Sequence, residues 1–143
     1  MMYVDTNYWI YWFDQRLPEH TRVVETVREA VRDGVILNMV TVMEIAHYFR
    51  HLPNQHLQDR MESILNLATL TLVDLNLDVM KLALDLLTKH ARTGIDARDS
   101  VILATMKRNN VKRIATHDTA FKRIRGVEVV DDLAKDHKSR MRR

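Results

Sequence analysis

The chain has 143 residues, of which 46% are hydrophobic, 29% are charged and none is cysteine. This length and composition predict a single globular domain, and the lack of cysteine excludes disulfides and zinc–thiolate sites. No apolar run reaches the roughly 18 residues that a membrane-spanning helix needs, and the first residues do not resemble a signal peptide. We therefore expect a cytoplasmic protein that is not attached to a membrane.

The net charge of +3 is unevenly distributed along the chain. Residues 107–143 contain 12 lysines and arginines against 5 acids, whereas residues 1–106 contain 10 against 14. Such an asymmetry suggests a polyanionic partner near the C-terminal third. We expect one domain over residues 1–132, followed by a basic tail over 133–143 that is frayed and solvated.

Short apolar segments alternate along the chain with segments of helical periodicity. The predicted strands are Met2–Asp5, Val35–Val40, Leu70–Leu75, Arg113–Ala115 and Val127–Val130. The predicted helices are Asn7–Asp14, Pro18–Asp33, Val42–Arg50 capped by Thr41, Gln55–Ala68, a helix from its cap Asp78 to Thr93, and Ala97–Asn109 capped by Asp96. Apolar strands that alternate with helices indicate an α/β fold with a parallel sheet that is covered on both faces.

Four acidic residues occupy places that this arrangement brings to one edge of the sheet. Asp5 ends the first predicted strand, and Asp118 follows the fourth. Glu44 lies in the first predicted turn of the helix after the second strand, and Asp99 is the third residue of its helix. Ligand sites of open parallel sheets lie at the carboxyl ends of the strands. We therefore expect these four carboxylates to share one pocket.

Four carboxylates in one pocket repel one another unless a cation neutralises them. Oxygen ligands without cysteine or histidine favour a hard divalent ion, Mg²⁺ or Mn²⁺. Such an ion can activate water and stabilise the charge that develops on a phosphodiester. The structural alternative is that Asp99 only completes a capping box with Asp96 and that Glu44 is a solvated acid.

Four short segments resemble, in the same order, the successive motifs of PIN-domain nucleases: VDTNYWI, VMEIAHYF, ARDSVILATM and IATHDTAF. The resemblance covers about residues 1–130 and is strongest to the small VapC-type toxin ribonucleases. It implies a three-layer α/β/α domain with about five parallel strands in the order 3-2-1-4-5. It also implies an endoribonuclease in which the acids bind Mg²⁺ or Mn²⁺, namely Asp5, Glu44, Asp99 and Asp118.

The same motifs contain residues that would support the acids. Thr6 and Asn7 match the polar residues after the first aspartate, while Thr116 and Phe121 match the hydroxyl and the aromatic residue of a T-x-D-x-x-F pattern. Resemblance to VapC-type toxins further implies a homodimer and a cognate antitoxin that packs against the early helices. The aromatic run Tyr8–Phe13 is rich enough in large side chains to serve both the core and such an interface.

Several cations cluster around Asp118 in the sequence. Because phosphate contacts supply much of the affinity for nucleic acids, we expect some of these cations to hold RNA near the acidic pocket. They are Lys107, Arg108, Lys112, Arg113, Lys122, Arg123 and Arg125.

Two other functions remain open from the sequence. A metal-free RNA- or protein-binding module of the same fold would use mainly the basic C-terminal third. A phosphatase like the haloacid dehalogenases is suggested by Asp5-Thr6-Asn7, with Asp131 and Asp132 as a late acidic pair. That class, however, has a second aspartate where Asn7 stands, and no lysine follows a predicted strand end as its catalytic lysine would.

Overall fold

The computed structural model describes residues 1–134 of the chain. Residues 135–143, which make up most of the predicted basic tail, lie outside the described residues. The last described element is a short 3₁₀ helix, Asp132–Ala134, which begins with a buried aspartate. Within residues 1–134, no helix combines the length and the hydropathy that crossing a membrane requires.

A five-stranded parallel sheet forms the centre of the fold. Its strands are β1 (Met2–Val4), β2 (Val35–Asn38), β3 (Leu70–Val73), β4 (Arg113–Ala115) and β5 (Glu128–Val130). They lie in the order β3-β2-β1-β4-β5, which confirms the predicted order. The central strands are almost entirely buried, as expected for a parallel sheet that is covered on both faces.

Six α-helices in the described chain form the outer layers of this α/β/α fold. They are α1 (Thr6–Phe13), α2 (His20–Asp33), α3 (Met39–Phe49), α4 (Asn54–Leu65), α5 (Leu77–Lys89) and α6 (Ala97–Arg108). Helix α1 packs against α2 and α3, and α5 packs against α6. A second 3₁₀ helix, Thr119–Arg123, connects β4 to β5.

The first residue of α3 differs from the prediction. Strand β2 ends at Asn38, whose Oδ1 accepts a hydrogen bond from the Val40 N–H at 3.0 Å and caps a helix that begins at Met39. Val40 is apolar and β-branched and therefore extended the predicted strand, but the Asn38 side chain captures a free N–H earlier. Thr41, the predicted cap, is buried in α3, and Glu44 consequently lies in its second turn.

Two other helices, α2 and α5, have starts displaced by two residues from the prediction. Asn76 caps α5 by accepting from the Val79 N–H at 3.0 Å, so Asp78, the predicted cap, lies in the first turn. Asparagine and aspartate are about equally good caps, so the spacing alone did not decide between the two. Helix α2 begins at His20, while Pro18 lies in the preceding turn, which its fixed φ angle suits equally well.

The centre of the sheet is held by a buried tyrosine. Tyr3 on β1 pairs in register with Ile36 on β2 and Ile114 on β4. Its hydroxyl lies 2.6 Å from the Thr41 hydroxyl and accepts a hydrogen bond from the Asn38 N–H at 3.0 Å. These contacts satisfy a polar group inside an apolar core and hold the start of α3 against β1. They thereby position the helix that carries Glu44.

Candidate active site

Asp5 lies directly after β1 and is held in one orientation from two sides. Its Oδ1 accepts from the Thr6 N–H at 2.7 Å and so caps α1, while its Oδ2 accepts from the Thr116 hydroxyl at 2.8 Å. Thr116 follows the neighbouring strand β4 and is fully buried. The parallel pairing of β1 with β4 therefore brings two distant motifs together at a carboxylate that is only 1% exposed.

Asp99 forms the capping box that the sequence offered as the structural alternative. The Asp96 carboxylate caps α6 by accepting from the Asp99 N–H at 2.9 Å, and Asp99 Oδ2 accepts from the Asp96 N–H at 3.1 Å. This capping box occupies one oxygen of the Asp99 carboxylate and fixes the side chain. The other oxygen, Oδ1, faces the cluster that contains Asp5. Asp99 is therefore structural and available to the site at the same time.

Glu44 and Asp118 lie at the more exposed side of the same cluster. The side chains of Glu44 and Asp118 are 34% and 33% exposed, against 2% and 3% for Asp5 and Asp99. Asp118 caps the 3₁₀ helix through the Ala120 N–H at 2.9 Å, and its own N–H donates to the Thr116 hydroxyl at 3.0 Å. The cluster thus has two buried carboxylates at its base and two at its mouth.

Arg98, which sequence reasoning did not identify, lies at the centre of the four acids. Its Nη1 donates to Asp5 Oδ1 at 2.9 Å and to Glu44 Oε1 at 3.1 Å. Its Nη2 donates to Asp99 Oδ1 at 2.9 Å and lies 3.9 Å from Asp118 Oδ2. The only signal in the sequence was its position beside Asp99 in ARDS, where a helical arginine is usually a solvated surface residue.

The electrostatics of the cluster reflect burial and excess negative charge. Burial raises the pKa of Asp99 to about 6, although the Asp96 N–H and Arg98 favour the ionised form. Burial likewise raises the pKa of Glu44. For Arg98, burial disfavours the charge, but the carboxylates of Asp5 and Glu44 outweigh it and raise the pKa. One guanidinium thus faces four carboxylates and cannot balance their charge when all are ionised.

The donor atoms fit a hard divalent cation in chemistry but not in their present spacing. Within residues 1–134, no group of three or more acids or histidines stands close enough together to hold an ion. The guanidinium lies between the acids instead. The available atoms are nevertheless all oxygens, and Thr6 Oγ1 and Asn7 Oδ1, directly after Asp5, are buried without a hydrogen-bond partner. Such a set suits Mg²⁺ or Mn²⁺ once the guanidinium withdraws.

The seven cations that were expected to bind RNA do not form one surface around Asp118. Lys107, Lys112 and Arg125 line a separate cavity of about 500 Å³, to which none of the four acids contributes. The others have partners of their own: Arg108 lies 3.9 Å from Asp78, Arg113 lies 3.6 Å from Glu29 and Glu128, Lys122 lies 2.7 Å from Asp131, and Arg123 donates to the Thr93 carbonyl at 3.0 Å.

The remaining predicted residues have mainly structural contacts. Phe121 is fully buried. Tyr8 and Trp9 on α1 are also fully buried, so much of the aromatic run belongs to the core. Asp131 interacts with His117 and Lys122. Asp132 accepts hydrogen bonds from the hydroxyls of Tyr8 and Thr26. The late acidic pair of the phosphatase alternative is therefore engaged by groups outside the carboxylate cluster.

Several solved structures share this fold over most of the chain. The structure of FitAB bound to an IR36 DNA fragment contains a chain that is 26% identical, with a TM-score of 0.73 over 92% of this chain and 95% of that one. A toxin–antitoxin complex from Klebsiella pneumoniae gives 22% identity and a TM-score of 0.68 over 92% and 98%. VapC20 of Mycobacterium tuberculosis, a toxin that cleaves the sarcin–ricin loop, gives 13% and 0.69 over 83% and 91%.

The sequence comparisons assign the family. No curated protein is significantly similar to the chain. Residues 2–127, in contrast, match the PIN domain, and this match contains all four acids, Thr116 and every strand of the sheet except β5. The motif order, the strand order and this match agree. The chain belongs to the PIN-domain family.

Proposed function

We propose that this protein is a metal-dependent endoribonuclease and the toxin of a toxin–antitoxin pair. The observation that carries the proposal is the convergence of Asp5, Glu44, Asp99 and Asp118 on a single guanidinium, all within 4.0 Å of it. Membership of the PIN-domain family supports it. So does the fold shared with VapC20, a toxin that cleaves the sarcin–ricin loop.

In this proposal, Mg²⁺ or Mn²⁺ is held mainly by Asp5 and Asp99, with Glu44 and Asp118 at the mouth of the cluster. When bound, the ion supplies a water of lowered pKa and a positive charge beside the scissile phosphate. Thr116 orients Asp5 through one carboxylate oxygen, and the backbone of Asp96 orients Asp99 in the same way. Each buried acid therefore presents one oxygen to the site in a fixed direction, which saves the cost of reorganising it.

The excess negative charge of the cluster makes the reaction depend on a cation. A phosphodiester that approached four ionised carboxylates and one arginine would be repelled. Added positive charge removes this repulsion, and the same acids then serve to hold the cation. RNA would enter on the side of Glu44 and Asp118, since these acids are the more exposed ones. Lys107, Lys112 and Arg125 line the separate cavity and form no ion pair within residues 1–134, so we propose that they contact phosphates of the RNA away from the acidic cluster.

An antitoxin would bind in a groove beside the acidic cluster. The groove runs between α1 and α3, and among its lining residues are Ile10, Val40, Met43 and Tyr48, together with Glu44 of the cluster. Met43 is 68% exposed and Tyr48 is 46% exposed, which is unusual for large apolar side chains. An apolar segment bound there would reach the acids. The Klebsiella pneumoniae neighbour is a toxin–antitoxin complex.

A homodimer would use another apolar face. Large hydrophobic side chains are exposed on and after the edge strand β3 and on α5: Leu72, Leu75, Leu77, Met80 and Leu84. Monomeric proteins rarely expose so many neighbouring apolar residues. The face lies on the opposite edge of the sheet from β5, so a dimer formed through it leaves the β4–β5 edge free.

Cleavage of single-stranded RNA by the purified chain tests the proposal. We expect cleavage with Mn²⁺ or Mg²⁺, none with EDTA, and none from Asp5→Asn in either condition. Asp59→Asn on α4, an exposed position whose carboxylate accepts only from Gln55 in the described part of the chain, removes the same charge and should keep activity. Absence of cleavage on every RNA tried, together with no binding of Mn²⁺, would overturn the proposal.

One observation favours a second candidate function, a metal-free binding module. Arg98 already pairs with all four acids, and the described residues contain no ready metal-binding group. If that pairing is permanent, the acidic residues are purely structural. RNA or protein binding that is unaffected by EDTA, without any cleavage, is the outcome this alternative requires.

A further inference from the structure

The Arg98 guanidinium lies where the proposed function requires a divalent cation. It contacts Asp5, Glu44 and Asp99 at 2.9 to 3.1 Å and lies 3.9 Å from Asp118. A metal ion held by the same acids would need oxygens at about 2.0 to 2.2 Å from its centre. The guanidinium and the ion therefore compete for one place.

The competition involves individual oxygen atoms. Asp5 Oδ2 is engaged by the Thr116 hydroxyl, and Asp99 Oδ2 is engaged by the Asp96 N–H of the capping box. Oδ1 of each buried acid faces the cluster, and Arg98 donates to both of these atoms; Asp5 Oδ1 also accepts from the Thr6 N–H. The two oxygens best placed to bind an ion are thus the two that Arg98 occupies.

The charges favour replacement of Arg98 by a divalent ion. The guanidinium brings one positive charge to four carboxylates, two of which are almost completely buried. Burial of such charges is costly unless they are well paired. A divalent ion brings twice the charge in a smaller volume and lets the acids move closer together. Its binding would relieve the repulsion that Arg98 only partly balances.

No polar contact outside the cluster holds Arg98. Its side chain is 24% exposed and stands in the first turn of α6, beside the two partly exposed acids at the mouth. Within residues 1–134, its hydrogen bonds and ion pairs are all with the four acids. A long flexible side chain at such a position can move outward while its backbone stays in the helix. There its planar group is suited to bind a phosphate.

We infer that Arg98 is an internal counter-cation that competes with the divalent metal ion, so that binding of the ion expels its guanidinium from the acidic cluster. The inference rests on the proposed function, because it requires that the acids bind a metal. It assigns two states to one residue: Arg98 stabilises the metal-free protein, and it becomes a phosphate-binding residue at the mouth when the ion is present.

The test compares Arg98→Met with the wild-type protein and with Arg28→Met. Methionine keeps much of the aliphatic stem without the charge, and Arg28 is an exposed residue of α2 that, among residues 1–134, pairs only with Glu25. Mn²⁺ affinity is measured by titration calorimetry and the melting temperature in EDTA. We expect Arg98→Met to bind Mn²⁺ at least about fivefold more tightly, the low end of typical coupling between two ligands. It should melt at a lower temperature than wild type in EDTA, whereas Arg28→Met should change neither quantity.

The possible failures are distinguishable. If wild type binds Mn²⁺ but Arg98→Met binds it with equal or weaker affinity, Arg98 does not compete with the metal and the inference is wrong. If neither protein binds Mn²⁺ or Mg²⁺, the proposed function itself fails.

A second measurement uses the wild-type protein and does not depend on how the variant folds. In uniformly ¹⁵N-labelled protein, the NMR signals of the Arg98 side chain in EDTA should show restricted motion and slow exchange with water. Saturating Mg²⁺, which is diamagnetic, should shift these signals and abolish their protection. Backbone shifts at Asp5 and Asp99 without any change in the Arg98 signals would overturn the inference.

Discussion

The hydroxyl of Thr116 donates a hydrogen bond to Asp5 Oδ2 at 2.8 Å, and both residues are almost completely buried. The same hydroxyl accepts from the Asp118 N–H at 3.0 Å. One oxygen atom therefore fixes the side chain of one proposed ligand and the backbone of another. This places Thr116, rather than an acid, at the junction between β1 and β4.

Replacement of Thr116 by valine should damage both stability and activity. The isosteric change leaves Asp5 Oδ2 buried without a partner, which costs about 1 to 3 kcal/mol of unfolding free energy. Because Asp5 also loses its orientation, RNA cleavage should fall at least about tenfold, in the range seen when partners of metal ligands are removed. Chemical denaturation and cleavage rates measure the two effects. Thr116→Ser keeps the hydroxyl and should retain most activity; equal losses in both variants would contradict the role of the hydrogen bond.

Asp99→Asn should abolish metal-dependent cleavage while the protein stays folded. An amide can still accept the Asp96 N–H, so the cap of α6 is kept, but it is a much poorer ligand for Mg²⁺ or Mn²⁺. Loss of a buried charge should raise the metal-free melting temperature by about 3 °C, which corresponds to about 1 kcal/mol in a domain of this size. The lost contact with Arg98 offsets part of the gain.

The matched control is Asp96→Asn, which removes the same charge from the exposed partner of the capping box. It should keep cleavage and show little change in Mn²⁺ affinity. Retained cleavage in Asp99→Asn, with a lowered metal-free melting temperature, would mean that Asp99 serves only to cap its helix.

The metal-free protein should become less stable as the pH rises from about 4 to about 6, because Asp99 loses its proton in this interval. Burial raises the pKa of this group from 3.8 to about 6 in the folded state, so the folded protein binds more protons than the unfolded chain in that interval. The stabilisation by Asp99 is fully present below its pKa in the unfolded chain. About 2 to 3 kcal/mol of unfolding free energy is lost as the pH rises through its pKa in the folded protein.

Other acids contribute to the same pH interval with the opposite sign, because hydrogen bonds and charges lower the pKa values of Asp14 and Asp131. The measurement is therefore the difference between the unfolding free energies of wild type and Asp99→Asn in EDTA, followed from pH 4 to pH 7. The difference should grow in favour of the variant with rising pH. A constant difference would mean that Asp99 titrates normally.

Leu77→Lys should weaken a homodimer without destabilising the monomer. Leu77 is 59% exposed at the start of α5, so a charge there is solvated in the monomer but buried without a partner in the proposed interface. Light scattering after size exclusion, over a range of concentrations, measures the change. Leu65→Lys on α4, where the leucine is 45% exposed, serves as control and should leave the oligomeric state as in wild type. A wild-type protein that is monomeric at all concentrations would refute the interface.

The sequence by itself determined the fold class and the positions of most proposed ligands. Strand and helix patterns alternate clearly enough to predict a parallel sheet, and residues that follow two neighbouring parallel strands must lie at the same edge. Since the family resemblance implied that β1 and β4 are neighbours, Asp5 and Asp118 were expected near each other. Periodicity did not determine where α3 begins, because the run from Val35 to Val40 is apolar except for Asn38, and Asn38 is the residue that caps the helix.

Only the tertiary structure decided what lies between the acids. Arg98 is adjacent to Asp99 on a helix, and neighbouring helical side chains point about 100° apart, so the sequence indicates a solvent-facing residue. The packing of α6 against the sheet instead places the guanidinium among carboxylates from three other segments. The cations that lie close to Asp118 in the sequence behave differently. Lys107, Lys112 and Arg125 line a separate cavity to which Asp118 does not contribute. The acids converge because backbone topology directs them, whereas the partners of long flexible side chains depend on which charges lie within reach after folding.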